Sequence, residues 1–206
     1  MTAYQSNNPM AALVLAHGAG AGQKSAWMVK AAHALSERGT SVFTFDFPYM
    51  ATGRKVPDKA PVLEASWREA LEEARPQARG LPMFIGGKSM GGRIATHIAA
   101  QGVANVSGVV LLGYPLHPPG QPQKRRDAHL PDIRIPMLFV QGAKDTFGNE
   151  EEMSALLPSL RKAKLHIVPA GDHSFRVNGG AQAVQAAFDD VILAVDAWIR
   201  AQISVS

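Results

Sequence analysis

The pentapeptide Gly87-Lys88-Ser89-Met90-Gly91 places two glycines symmetrically about a serine. A serine hydroxyl attacks a carbonyl only when a base takes its proton. The glycines are what a tight turn between strand and helix needs to lift that hydroxyl clear of the backbone, at the positive end of the helix. An imidazole must serve as the base and a carboxylate must orient it, and in this setting they follow in the order Ser, acid, His. Asp145, in Gly142-Ala143-Lys144-Asp145, and His173, in Gly171-Asp172-His173-Ser174-Phe175, keep that order. The predicted chemistry is acyl transfer to water: attack by Ser89, an acyl-enzyme, then hydrolysis by a water that His173 activates.

A tetrahedral oxyanion needs two donors. The N–H of Met90, next after the nucleophile, is one. The other is expected from His17-Gly18-Ala19-Gly20, where small residues let the main chain approach; Ala19 is the choice, with Gly18 or Gly20 as alternates. The remaining histidines compete poorly. His33 and His97 fall inside helical patterns, His166 within a strand, His117 and His129 in a proline-rich loop, and His17 shapes the glycine loop. Asp172 adjoins His173, and adjacent side chains rarely face each other. Asp46, after a different strand, is the second-choice acid.

These residues act together only if the chain brings them to one edge. Apolar runs at Ala11–Ala16, Val42–Phe47, Met83–Gly86, Val106–Leu112, Met137–Gln141 and Leu165–Val168 read as buried strands. Helical patterns separate them. Ser25 caps a segment reaching about Arg38 and closed by Gly39, and Pro61 opens one carrying Leu63, Trp67 and Leu71. Ile94 and Ile98 mark a third, and Val184 to Trp198 a long closing helix. Such alternation requires a parallel sheet with crossover helices. The expected fold class is α/β, a mostly parallel sheet of about six strands with helices on both faces. Ligands in such sheets sit beyond the carboxyl ends of the strands, where Ser89, Asp145 and His173 all fall.

A length of 206 residues suits one domain, 1–206, with residues 1–10 as an N-terminal extension. The absence of cysteine excludes a disulfide framework, a thiolate nucleophile and a Cys-built zinc site. A net charge of +4 is too mild to indicate nucleic acid. No run approaches the roughly 20 apolar residues that cross a bilayer, and the N-terminus lacks a basic leader. The expectation is a cytoplasmic protein with a small acyl substrate, no membrane or nucleic-acid partner, and no metal or organic cofactor.

Gly18-Ala19-Gly20-Ala21-Gly22-Gln23-Lys24-Ser25 imitates a phosphate-binding loop, but Gln23 stands where a glycine must let backbone wrap phosphate. Nucleotide binding is therefore the weaker alternative; a non-catalytic interaction scaffold is the other. Phe47, Tyr49, Tyr114 and Phe147 are candidate pocket walls, with Trp27 and Phe175 near the same edge. Lys88, with Arg54, Lys55, Arg125 and Arg126 in long loops, would suit an anionic ester, although solvated loop charge is the plainer account. A carboxylester or thioester of modest size is expected first, an amide second.

Ser89, Asp145 and His173, with His17-Gly18-Ala19-Gly20 upstream, resemble the α/β-hydrolase superfamily. The phrases GGKSMGGR (86–93), GYPLHPPG (113–120), the stretch 141–148 and GDHSF (171–175) resemble a narrower group of small hydrolases. That group includes the hydrolase-like domain of a non-specific-lethal chromatin complex subunit and a testis-expressed protein. The resemblance runs from about His17 to Trp198. It implies a compact α/β hydrolase without the leading antiparallel strands and without a helical lid.

Overall fold

Every residue of Ala11–Ala16 is buried, as a strand covered by helices on both faces must be. The computed structural model describes residues 1–204. In chain order it comprises β1 (Thr2–Tyr4), β2 (Ala11–Ala16), α1 (Ala26–Ser36), β3 (Thr40–Phe45), α2 (Pro48–Ala51), α3 (Ala60–Ala74) and β4 (Met83–Lys88). There follow α4 (Met90–Ala100), β5 (Gly108–Leu112), β6 (Met137–Gly142), α5 (Glu150–Leu156), β7 (Ala163–Val168) and α6 (Gly180–Ile203).

The strands form one sheet in the order β1-β3-β2-β4-β5-β6-β7. Strands β2 to β7 run parallel, matching the six apolar runs. The seventh, β1, lies antiparallel on β3, with Thr2 opposite Thr44. The N-terminal extension is thus partly sheet, and one short leading antiparallel strand is present after all. Its three residues, Thr-Ala-Tyr, carry no alternation long enough to read, and they cover an edge that β3 would otherwise expose.

Period-two alternation divides each strand between two cores. Ala12, Val14, Val109, Leu111 and Phe139 face α3, α4 and α5, where Trp67, Leu71, Ile94 and Met153 pack. Leu13, Leu15, Val110, Leu112 and Val140 face α1 and α6, where Met28, Leu35, Val191, Val195 and Trp198 pack. Strand β3 stops at Phe45, short of the expected Phe47, because Pro48 opens α2 and the Phe47 N–H leaves the ladder to donate to His17 Nε2 at 3.1 Å. No helix among the described residues is long and apolar enough to cross a membrane.

The chain crosses to one side of β2 to make β3 and to the other side to make β4. That reversal leaves a crevice at the carboxyl ends of β2 and β4, the usual ligand position in such sheets.

Candidate active site

Strand β4 ends at Lys88 and helix α4 begins at Met90, so Ser89 alone makes the turn, at φ 50° and ψ −118°. Positive φ costs a non-glycine residue about 1–3 kcal/mol, so the surroundings must hold it there. The Ser89 N–H donates to the Leu112 carbonyl at 2.9 Å. The flanking glycines allow an approach that no side chain would survive. A Cβ on Gly87 would lie 2.6 Å from the Gly91 carbonyl carbon, and one on Gly91 would lie 2.5 Å from the His17 oxygen.

His173 Nε2 stands 2.8 Å from Ser89 Oγ, and His173 Nδ1 stands 2.8 Å from Asp145 Oδ2. A carboxylate only accepts, so Nδ1 carries the proton and Nε2 is left to accept from the hydroxyl. The Asp145 side chain is fully shielded from solvent, whereas that of His173 is 20% exposed. Asp145 Oδ1 accepts the Phe147 N–H at 2.8 Å, and Oδ2 also accepts from Gln141 Nε2 at 2.8 Å.

Neighbouring loops hold the imidazole. Asp172 Oδ1 accepts the N–H groups of Ser174 and Arg176 at 2.7 and 2.9 Å, so Asp172 holds its own turn, and it is Asp145 that faces the His173 ring. The Phe147 ring lies 4.2 Å from the His173 ring, centre to centre. Gly113, at φ 66°, gives the histidine room: a Cβ there would come within 3.0 Å of the His173 carbonyl oxygen.

On the other side of Ser89, His17 is wholly buried. Its Nδ1 donates to the Gly18 carbonyl at 2.7 Å and its Nε2 accepts the Phe47 N–H, so the ring is neutral; burial holds its pKa below the ordinary value. The peptide is trans, so anchoring the Gly18 oxygen turns the Ala19 N–H the opposite way. Tyr49 Oη donates to the Ala19 carbonyl at 3.1 Å, and burial pushes this phenol up to about 12. A Cβ on Gly18 would lie 3.5 Å from Ser89 Cβ, which brings this loop against the elbow. Neither the Ala19 nor the Met90 N–H donates to another described group.

Ser89 and His173 open into a groove of about 710 Å³, walled mainly by Trp27, Met28, Phe147, Phe175, Val184 and Phe188. Lys88 also lines it. Its Nζ donates to the His173 carbonyl at 3.1 Å and lies 5.0 Å from the ring centres of both Trp27 and Phe175. Burial brings its pKa down to about 8, partly offset by Asp145 and Asp172. Of the expected pocket walls, Phe147 and Lys88 are in the groove, but Phe47, Tyr49 and Tyr114 are not. Those three are 0%, 0% and 1% exposed, because their loops fold inward over the sheet. Tyr114 Oη donates to the Arg126 carbonyl at 2.7 Å, fastening the proline-rich loop.

The other sequence candidates lie elsewhere. Asp46 accepts the Gln23 N–H at 2.8 Å and Gln23 Nε2 at 3.0 Å, so it braces the glycine loop. Gln23, the residue that broke the phosphate-loop pattern, is that brace's partner. Arg54 pairs with Asp58 and Arg125 with Asp127, so both charges are answered within their own loops. Sequence reasoning missed Gln141. The available signal was a lone amide in the apolar strand Met-Leu-Phe-Val-Gln-Gly, four residues before the acid.

Residues 9–200 match the family described as an alpha/beta hydrolase domain, and the chain belongs to that family. Among solved structures, the fold is shared with Est1E of Butyrivibrio proteoclasticus, determined with ferulic acid bound, at TM-score 0.78 and 17% identity, covering 98% of this chain and 95% of that one. A dienelactone hydrolase from Anabaena variabilis superposes at TM-score 0.74 and 21% identity, covering 96% and 89%. An α/β serine hydrolase without a lid from Xanthomonas campestris superposes at 0.72 and 18%, covering 94% and 84%.

Proposed function

We propose that this alpha/beta hydrolase is a serine hydrolase that cleaves a small acyl ester or thioester, in the manner of a carboxylesterase, through an acyl-enzyme on Ser89. The observation that carries the reading is the unbroken line from hydroxyl to imidazole to buried carboxylate, with both heavy-atom gaps at 2.8 Å. The esterases among proteins of the same fold add support.

Ser89 Oγ attacks the acyl carbonyl as its proton passes to His173 Nε2. Asp145 faces the resulting imidazolium and keeps it oriented. The carbonyl oxygen, now an anion, is received by the N–H groups of Ala19 and Met90; losing one such donor costs about 3 kcal/mol of barrier. Collapse breaks the acyl bond, and His173 returns its proton to the departing alcohol or thiol. Water then gives a proton to His173 and attacks the acyl-enzyme, releasing the acid and restoring Ser89. Within the family, the phrases at 86–93, 113–120 and 171–175 support kinship with the group that includes the chromatin-complex subunit and the testis-expressed protein.

A fluorophosphonate probe tests the reading. Wild type should label at Ser89 and turn over a short p-nitrophenyl ester, and Ser89→Ala and His173→Ala should do neither. A folded wild-type protein that neither labels nor hydrolyses the ester overturns the reading and favours a scaffold.

A further inference from the structure

The charge in the groove is one-sided. Among the described residues three cations line it, Lys30, Lys88 and Arg176, and no aspartate or glutamate does. Lys30 already donates to Gln185 Oε1 at 2.6 Å and lies 4.0 Å over the Phe188 ring, and both it and Arg176 are exposed. Lys88 differs. It is half-buried, adjoins the nucleophile in the chain, and forms no ion pair among the described residues.

The carboxylates that touch Lys88 through their field are committed to other work. Asp145 accepts from His173, Gln141 and the Phe147 amide, and Asp172 accepts two amides of its own turn. The rings of Trp27 and Phe175 offer the ammonium their faces but bring no counter-charge. A desolvated cation without a counterion is costly, and an anion entering the groove would relieve that cost. The depressed basicity of Lys88 agrees with such a vacancy of charge.

We propose that the groove selects esters bearing a carboxylate, with the carboxylate pairing to Lys88 Nζ while an apolar or aromatic body lies against Trp27 and Phe175. The selection rests on the serine-hydrolase reading above, because the ester must reach Ser89. Lys30 and Arg176, at the exposed part of the lining, add to the positive field that draws such a substrate in. Lys88 has a competing explanation as a mere fastener of the His173 loop through the 3.1 Å hydrogen bond. A fastener would serve neutral and anionic esters alike.

Two matched pairs of esters separate these cases. Mono-p-nitrophenyl glutarate against p-nitrophenyl pentanoate puts the carboxylate on the acyl side. 4-Acetoxybenzoate against 4-methylphenyl acetate puts it on the alcohol side. Rates are taken above those of Ser89→Ala, because a nearby carboxylate speeds uncatalysed hydrolysis. In at least one pair, wild type should favour the anionic member in kcat/KM by about tenfold or more. Lys88→Met should bring that ratio toward one, and Lys88→Arg should retain most of it. A wild-type ratio near one in both pairs overturns the proposal whatever the variants do, and the hydrolase reading survives if fluorophosphonate still labels Ser89. An equal loss on both members in Lys88→Met also overturns it, in favour of the fastener. If wild type neither labels nor hydrolyses any of the four, the hydrolase reading itself fails and takes the selectivity with it.

Discussion

Gln141 Nε2 lies 2.8 Å from Asp145 Oδ2, the same oxygen that faces His173 Nδ1. The amide is also bound at its other end, where Oε1 accepts the Tyr114 N–H at 2.8 Å, and Nε2 reaches the Gly148 carbonyl at 2.8 Å. One buried side chain thereby ties the proline-rich loop, the acid loop and the carboxylate together. Gln141→Leu keeps much of the volume but strands a buried amide and a carbonyl, at about 1–3 kcal/mol each. Urea denaturation should show that loss. Fluorophosphonate labelling of the still-folded variant should slow as well, because Asp145 loses one of its three positioning bonds.

Asp145→Asn should leave the fold intact and lower kcat/KM by roughly 10⁴-fold. The amide presents a donor where His173 Nδ1–H needs an acceptor, so the imidazole takes the tautomer that cannot accept from Ser89. Steady-state hydrolysis of a p-nitrophenyl ester reads this directly. A loss under tenfold would mean that another carboxylate orients the histidine.

Gly91→Ala should cost about 3 kcal/mol or more, since overpacking of this kind cannot be relieved by a side-chain rotation. The obstacle is backbone: the new Cβ meets the His17 oxygen at 2.5 Å and the Ala16 oxygen at 2.6 Å. Thermal unfolding should fall accordingly. Gly20→Ala is the control, because nothing lies within 4 Å of that Cβ.

Tyr49→Phe keeps the buried ring and removes only the hydroxyl that holds the Ala19 carbonyl at 3.1 Å. Stability should drop by about 1 kcal/mol. Under the proposed mechanism the looser glycine loop should lower kcat more than it raises KM, because there the Ala19 N–H meets charge only in the transition state.

The preference for an anionic ester should decay as pH rises through about 8, the value to which burial brings Lys88 down, with Asp145 and Asp172 opposing and Arg176 reinforcing the shift. The sign follows from a lowered pKa: the amine is charged below that value and neutral above it. The ratio of kcat/KM for the two members of an ester pair reports the free enzyme, and any ionisation that both substrates need alike cancels from it. A ratio flat from pH 7 to 9.5 would remove Lys88 from the explanation.

Much of the site was legible because its parts are local. Ser89 needs glycines two residues away on either side, and Asp145 and His173 each sit in a short loop just after an apolar run. Alternating strands and helices then put all three loops on one edge without any detail of packing. Less local features escaped. Aromatic residues after a strand look alike whether they wall a groove or roof the core, so Phe47, Tyr49 and Tyr114 were misplaced. Strand β1 is three residues long and pairs with a segment some forty residues away.

Residue types and their order along the chain were enough to single out Ser89, Asp145 and His173, which the fold brings within hydrogen-bond distance of one another, and the parallel sheet beneath them. Those depend on backbone conformation and on periodicity, which each segment carries for itself. Folding alone determined that Asp145 is held by Gln141, that Tyr49 braces the glycine loop, and that Lys88 stands in an aromatic groove with no ion pair among the described residues. Each of these is a meeting between side chains far apart in sequence, and burial and hydrogen-bond pairing exist only once the segments have packed.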